Sequence, residues 1–175
     1  MKRLIILILI ILSTSCIEIF KESNVNNEIS ESATVVKIID GDTIDVLYNG
    51  EIQKIRLVGI DTPEPYSKNN TKKWYGLPNE HLNVWGIKAK DYTYQRLNKK
   101  EVNISYDSIQ GKKDEYGRTL AYIIVDSNNF NLELVEKGYA RVYTEKSSDL
   151  YWKLIEAQTK ARINHVGLWD YSQNN

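Results

Sequence analysis

Five ionisable residues spread along the middle of the chain, Asp42, Arg56, Asp61, Glu64 and Arg118, are the types from which phosphate chemistry is built. Two carboxylates, completed by backbone carbonyls and water, suit a hard cation such as calcium. Two arginines beside them can grip a phosphate through paired, planar hydrogen bonds. A further carboxylate can take a proton from water. Cation, anion clamp and base in one pocket describe hydrolysis of a phosphodiester, because in-line attack builds negative charge on phosphoryl oxygens that fixed cations stabilise. The same residue types at strand ends also make plain solvated ion pairs, and spacing alone does not separate the two readings.

The first reading requires a fold that gathers these residues. Thr34–Ile39 and Thr43–Tyr48 are β-branched runs joined at Asp40-Gly41-Asp42, and Asn49-Gly50 leads into a third strand, Glu51–Ile60. Asp61-Thr62-Pro63-Glu64-Pro65 ends this meander, since two prolines cannot continue a central strand. In the first turn, Gly41 is expected to let the chain bend and Asp45 to face water. The segment Tyr66–Leu82, with Lys72, Lys73 and Trp74, reads as a solvated linker. Apolar residues at helical spacing follow over Glu80–Lys99, then strands Val102–Tyr106 and Arg118–Val125, then helices Asn131–Gly138 and Ser148–Val166. A helix inserted among five strands, with more helix after them, predicts an α+β protein that is mainly β, an OB-type barrel. A small closed barrel brings strand ends within reach of one another, so Asp42, Arg56, Asp61, Glu64 and Arg118 can form one cluster. Trp85, Trp152 and Trp169 are expected to pack the core and helices. His81 and His165 lack ligand-spaced partners and read as structural or surface residues.

The chain has 175 residues, enough for one domain with a real core. Met1-Lys2-Arg3, the aliphatic run Leu4–Leu12 and Ser13-Thr14-Ser15 have the pattern of a secretory signal over residues 1–15. The apolar run is short of the ~20 residues a bilayer span needs. The single cysteine, Cys16, directly follows the small residues, as in the lipobox of bacterial lipoproteins, although Ser13 stands where leucine is usual. Residues 16–32 are then a lipidated Cys16 and a polar tether, 33–171 the domain and 172–175 a tail. This predicts an exported protein held to a membrane through Cys16, with its domain outside the cytoplasm. Losing Lys2 and Arg3 takes the formal net charge from 0 to −2, so an anionic substrate must be held by local charge.

Three segments carry a family resemblance: Asp40-Gly-Asp-Thr43, Arg56-Leu-Val-Gly-Ile-Asp-Thr-Pro-Glu64 and Asp114-Glu-Tyr-Gly-Arg-Thr-Leu-Ala-Tyr122. They resemble, in order, the signature segments of the staphylococcal nuclease family, and Asn131–Ala140 and Gly167–Trp169 resemble its later helices and end. The likeness runs from about Ala33 to Trp169 and implies a five-stranded OB-fold barrel with three helices. It implies Asp42, Asp61 and the backbone carbonyl of Thr62 as calcium ligands, with Asp40 supporting them from behind. It implies Glu64 as general base, Arg56 and Arg118 on the scissile phosphate, and Tyr116 on a terminal phosphate. Tyr143 stands in for a base-stacking tyrosine, and Glu115 replaces a lysine. The implied activity is calcium-dependent hydrolysis of DNA and RNA by a monomer with no obligate protein partner, cleaving the 5′ P–O bond and leaving 3′-phosphate ends. A catalytically inactive OB module that binds nucleic acid is the alternative, and the presence of all five charged residues speaks against it.

Overall fold

The computed structural model describes residues 31–171, so Cys16, the signal and most of the tether lie outside the described residues. Strands β1 (Glu31–Ile38), β2 (Thr43–Tyr48) and β3 (Glu51–Leu57) form the meander. Asn49 (φ 51°) and Gly50 (φ 82°) make the tight β2–β3 turn, in which both central residues need positive φ. The short β4 (Ile60–Asp61) precedes helix α1 (Asn79–Leu97), followed by β5 (Glu101–Ser105) and β6 (Thr119–Val125). After these come β7 (Asn128–Asn129), α2 (Phe130–Glu136), β8 (Arg141–Val142) and α3 (Tyr151–Ile163).

The main sheet runs β3-β2-β1-β5-β6, and a parallel β3–β6 pairing, with Ile55 opposite Thr119 and Leu57 opposite Ala121, closes it. The fold is therefore a mainly β, α+β structure: a closed five-stranded barrel of OB type with three helices. Closure removes the exposed edges that an open sheet would leave. Val35, Ile44, Val46, Ile55, Leu57, Ile104 and Ile123 fill the interior, and α2 and α3 add Phe130, Leu134 and Leu154 to the same core.

Several boundaries differ from expectation. The first strand begins at Glu31, whose carboxylate accepts a hydrogen bond from Tyr106 (2.7 Å). The third strand stops at Leu57, because Gly59 takes a φ of 77° and turns Ile60–Asp61 away to pair with β8. Asn131 secures this break, donating to the carbonyls of Val58 (2.9 Å) and Ala121 (3.2 Å). The last helix is shorter than Ser148–Val166 and gives way to a 3-10 turn at Gly167–Trp169.

The Tyr66–Leu82 segment is not a solvated linker. It forms a 3-10 turn, Thr71–Trp74, whose Trp74 is only 3% exposed and packs with Leu82, Ala161, Leu168 and Trp169 in a second core. Lys73 pairs with Glu145 (2.5 Å), while Lys72 is exposed. Trp85 and Trp169 pack as expected, but Trp152 is 79% exposed on α3. Asp45 pairs with Lys54 across β2–β3 (3.2 Å) instead of facing only water.

Candidate active site

The turn between β1 and β2 sets Asp42, which is only 5% exposed. Asp40 Oδ1 accepts the backbone N–H of Asp42 (3.0 Å), an Asx-type bond that shapes the turn. Gly41 sits in the expected bend and serves a second need as well. A Cβ there would lie 2.8 Å from Ala89 Cβ and 2.8 Å from both Thr62 Oγ1 and Thr62 Cγ2. Only a glycine lets the loop after β4 and helix α1 close on this turn. Thr62 then donates both its N–H (2.6 Å) and its hydroxyl (3.0 Å) to Asp42 Oδ2.

Arg56 lies opposite Thr43 in the β2–β3 ladder and is held between two carboxylates. Its Nη1 is 2.5 Å from Asp42 Oδ1, and its Nη2 donates to Asp61 Oδ1 (2.8 Å). The first contact is an ion pair off the line a hydrogen bond needs, which leaves Nη1 buried without a proper acceptor. Asp61 Oδ2 receives two further bonds from Arg141, at 3.1 Å from Nε and 2.8 Å from Nη2. Arg141 was not among the expected residues, because the β4–β8 pairing that puts it opposite Asp61 joins positions 80 apart. Gln158 of α3 fixes that strand by accepting the Val142 N–H (2.7 Å).

The site is short of positive charge. Burial pushes the Asp42 carboxyl above the ordinary range, with Asp40 adding to it and Arg56 opposing it. Burial and the neighbouring Asp42 likewise raise Asp61, against Arg56 and Arg141. Glu64 is exposed and stands outside the ion-paired set, yet partial desolvation and the charges of Asp42 and Asp61 raise it too. Burial alone would weaken Arg56, but Asp42 and Asp61 more than offset it and keep the guanidinium charged. Among the described residues no three His, Cys, Asp or Glu side chains converge tightly enough to hold an ion by themselves. Asp42 and Asp61 do converge on one positive group, Arg56, and all their donor atoms are oxygen. That set fits a hard cation that takes its remaining ligands from backbone and water.

Arg56 also lines a cleft of about 120 Å³ with Gln110, Tyr116, Arg118, Tyr143 and Lys146. Arg118 sits just before β6 and is fastened by Asp114, which accepts its N–H (2.9 Å) and its Nε–H (2.7 Å). Burial works against Asp114, but Arg118 holds its carboxyl below the ordinary range. Asp114 also accepts the Tyr116 N–H (3.0 Å), and the Arg118 guanidinium lies 5.5 Å from the Tyr116 ring centre. Tyr116 is 77% exposed at the rim, and Glu115 adds a negative charge beside it. Two groups thus meet at Arg56: the carboxylates Asp40, Asp42 and Asp61 with Thr62, and the cleft with Arg118, Tyr116 and Tyr143. Arg56 thus joins the buried carboxylates to the cleft.

His81 and His165 take no part. His81 Nε2 bonds the Leu168 carbonyl (2.8 Å), and His165 sits at positive φ (52°) past the end of α3.

A family model described as staphylococcal nuclease homologue matches residues 54–171. The chain is 38% identical to the uncharacterized protein MJ1439 of Methanocaldococcus jannaschii, covering 99% of this chain and 97% of that one. It is 35% identical to a thermonuclease of Staphylococcus intermedius over 86% of this chain and 83% of the relative. It is 32% identical to the endonuclease YncB of Bacillus subtilis over 81% of this chain and 63% of the relative. A domain-length match, the thermonuclease likeness and the closed barrel agree, and the chain belongs to the staphylococcal nuclease family.

Proposed function

We propose that the protein is a calcium-dependent nuclease that hydrolyses DNA and RNA, cutting the 5′ P–O bond and leaving 3′-phosphate ends. The observation that carries the proposal is Arg56, paired with Asp42 and Asp61 and lining the cleft it shares with Arg118. The relatives named thermonuclease and endonuclease support hydrolysis of nucleic acid as the reaction.

In this mechanism Arg56 and Arg118 grip the scissile phosphate, and their fixed charges offset the negative charge that builds on its oxygens. Glu64, with its raised carboxyl pKa, takes a proton from the attacking water. The P–O5′ bond breaks, and the departing oxygen, steadied by Arg118, is protonated by solvent. Asp42, Asp61 and the carbonyl of Thr62 would hold a calcium ion, whose charge would relieve the carboxylate repulsion and polarise a phosphoryl oxygen. Asp40 supports Asp42 through the turn. Tyr116 and Tyr143 flank the cleft where a terminal phosphate and a base would sit.

The alternative is an OB module that binds nucleic acid without cutting it. One observation favours it: Arg56 Nη2 already donates to Asp61 and Nη1 is buried against Asp42, leaving the guanidinium little for phosphate. Incubating purified protein with DNA and RNA side by side in calcium separates the two. The proposal expects both polymers to be cut to products with 3′-phosphates, whereas retarded but intact nucleic acid would support the binding module.

The proposal includes location. The Lys2-Arg3 start, the Leu4–Leu12 run and Cys16 support an exported protein anchored by lipid on Cys16. Mass spectrometry of the mature N-terminal peptide is expected to find acylated Cys16, and an unmodified Cys16 would contradict the anchor.

A further inference from the structure

Glu64 has no place in a regular element, yet its backbone is among the most firmly bound in the site. Asn69, five residues later and 5% exposed, uses its side-chain amide as a two-sided clasp. Its Oδ1 accepts the Glu64 N–H (2.8 Å), and its Nδ2 donates to the Glu64 carbonyl (3.1 Å). Asn83 of α1 donates to the same carbonyl (2.7 Å) and to that of Ser67 (2.8 Å). Asn79, at the start of α1, completes the set. It donates to Asn83 Oδ1 (2.7 Å) and accepts the Asn69 N–H (2.8 Å). One turn further along α1, Gly86 makes room for the same loop: a Cβ there would lie 2.5 Å from the Pro63 carbonyl and 2.7 Å from Pro65 N. Glu64 is thus held at N–H and carbonyl, and its flanking prolines rest on a bare stretch of helix.

Clasping both polar groups of one residue with a buried amide satisfies that backbone and also fixes the residue's position in the loop. A proton acceptor gains most from such fixing, because catalysis falls steeply when a base is displaced by even an ångström. We propose that Asn69 and Asn83, with the bare Gly86 surface, are positioning residues that fix Glu64 for proton transfer. They act through the Glu64 backbone and touch neither substrate nor cation. The inference rests on the reading of Glu64 as the base.

The test is a double-mutant cycle on the full chain with single-stranded DNA and calcium, comparing wild type, Asn69→Ala, Glu64→Gln and the double variant. Asn69→Ala is expected to lower kcat about tenfold while KM stays within about twofold, the signature of a misplaced group and not of lost binding. In the Glu64→Gln background the same substitution should cost less than about twofold, since a residue acting through Glu64 has nothing left to position. Calcium affinity, measured by titration calorimetry, should match wild type in Asn69→Ala, and hydrogen exchange at the Glu64 amide should accelerate. Asn83→Ala, at a more accessible site, should give the same pattern at smaller size and serves if Asn69→Ala fails to fold. An unchanged kcat in both single variants, or equal losses with and without the Glu64 carboxyl, overturns the inference while leaving the nuclease reading intact. A wild-type protein that binds calcium but cuts nothing overturns both.

Discussion

Asp42, Arg56, Asp61 and Glu64 are each ordinary residues in an unusual electrostatic setting: burial raises all three carboxyls, Asp42 adds to the rise of Asp61 and both add to that of Glu64, while one guanidinium pairs with Asp42 and Asp61. Removing Arg56 leaves Asp42 without its cationic partner, and removing Glu64 takes away the proton acceptor, so effects at this scale should be large. Arg56→Ala and Arg118→Ala are expected to lower kcat roughly 10²- to 10³-fold, the scale for loss of a transition-state donor. Glu64→Gln should cost roughly 10²- to 10⁴-fold, as for loss of a general base. These losses will not add, because the groups act as a unit. Glu115 offers a gain instead. It is exposed on the cleft wall, so Glu115→Lys should lower KM for nucleic acid several-fold at low salt, an advantage that fades as ionic strength rises. Steady-state kinetics at two salt concentrations decide it. All these residues were legible in the sequence, because each lies inside a short motif. Asp114 lay inside one too, yet its role as the anchor of Arg118 needed the turn geometry that brings its carboxylate to both N–H groups.

At the scale of elements, the site depends on close approach. Gly41→Ala would drive a methyl group into Ala89 and Thr62, so it should destabilise the protein by about 1–3 kcal/mol, an overpacking penalty measurable by denaturant titration. A second junction joins α1 to α2, where Arg96 and Tyr92 both donate to Glu133. Burial alone would raise Glu133, but those donors hold it below the ordinary glutamate value of 4.5. Its contribution to stability is therefore full above about pH 4.5 and is lost as pH falls through the depressed value. Glu133→Gln should be less stable than wild type at neutral pH by about 1–3 kcal/mol, with the gap narrowing in acid. A gap that stays constant in acid would contradict the assignment. Strand and helix order was readable from periodicity, since alternation and helical spacing are local. The β4–β8 pairing was not, because a two-residue strand has no period and its partner is far along the chain. The burial of Trp74 escaped for a related reason: the polar loop around it hides one apolar anchor that only the second core explains.

At the scale of the molecule, a barrel with almost balanced charge presents no general attraction for nucleic acid, and affinity must come from one place. Closure of β3 onto β6 creates that place by bringing Arg56 and Arg118, far apart in sequence, onto one cleft. The class of fold was legible from the count and order of elements. The way the barrel presents its carboxylates was not, since it depends on Arg141, Gly41 and Gly86 acting from three separate elements. In the proposed mechanism this cluster needs a divalent cation before its arginines can serve a phosphate. Plasmid degradation by the purified protein, timed in millimolar calcium and in excess chelator, tests it most directly. Rapid degradation in calcium, none in chelator and full recovery when calcium is restored are expected. Equal rates in calcium and chelator would contradict it.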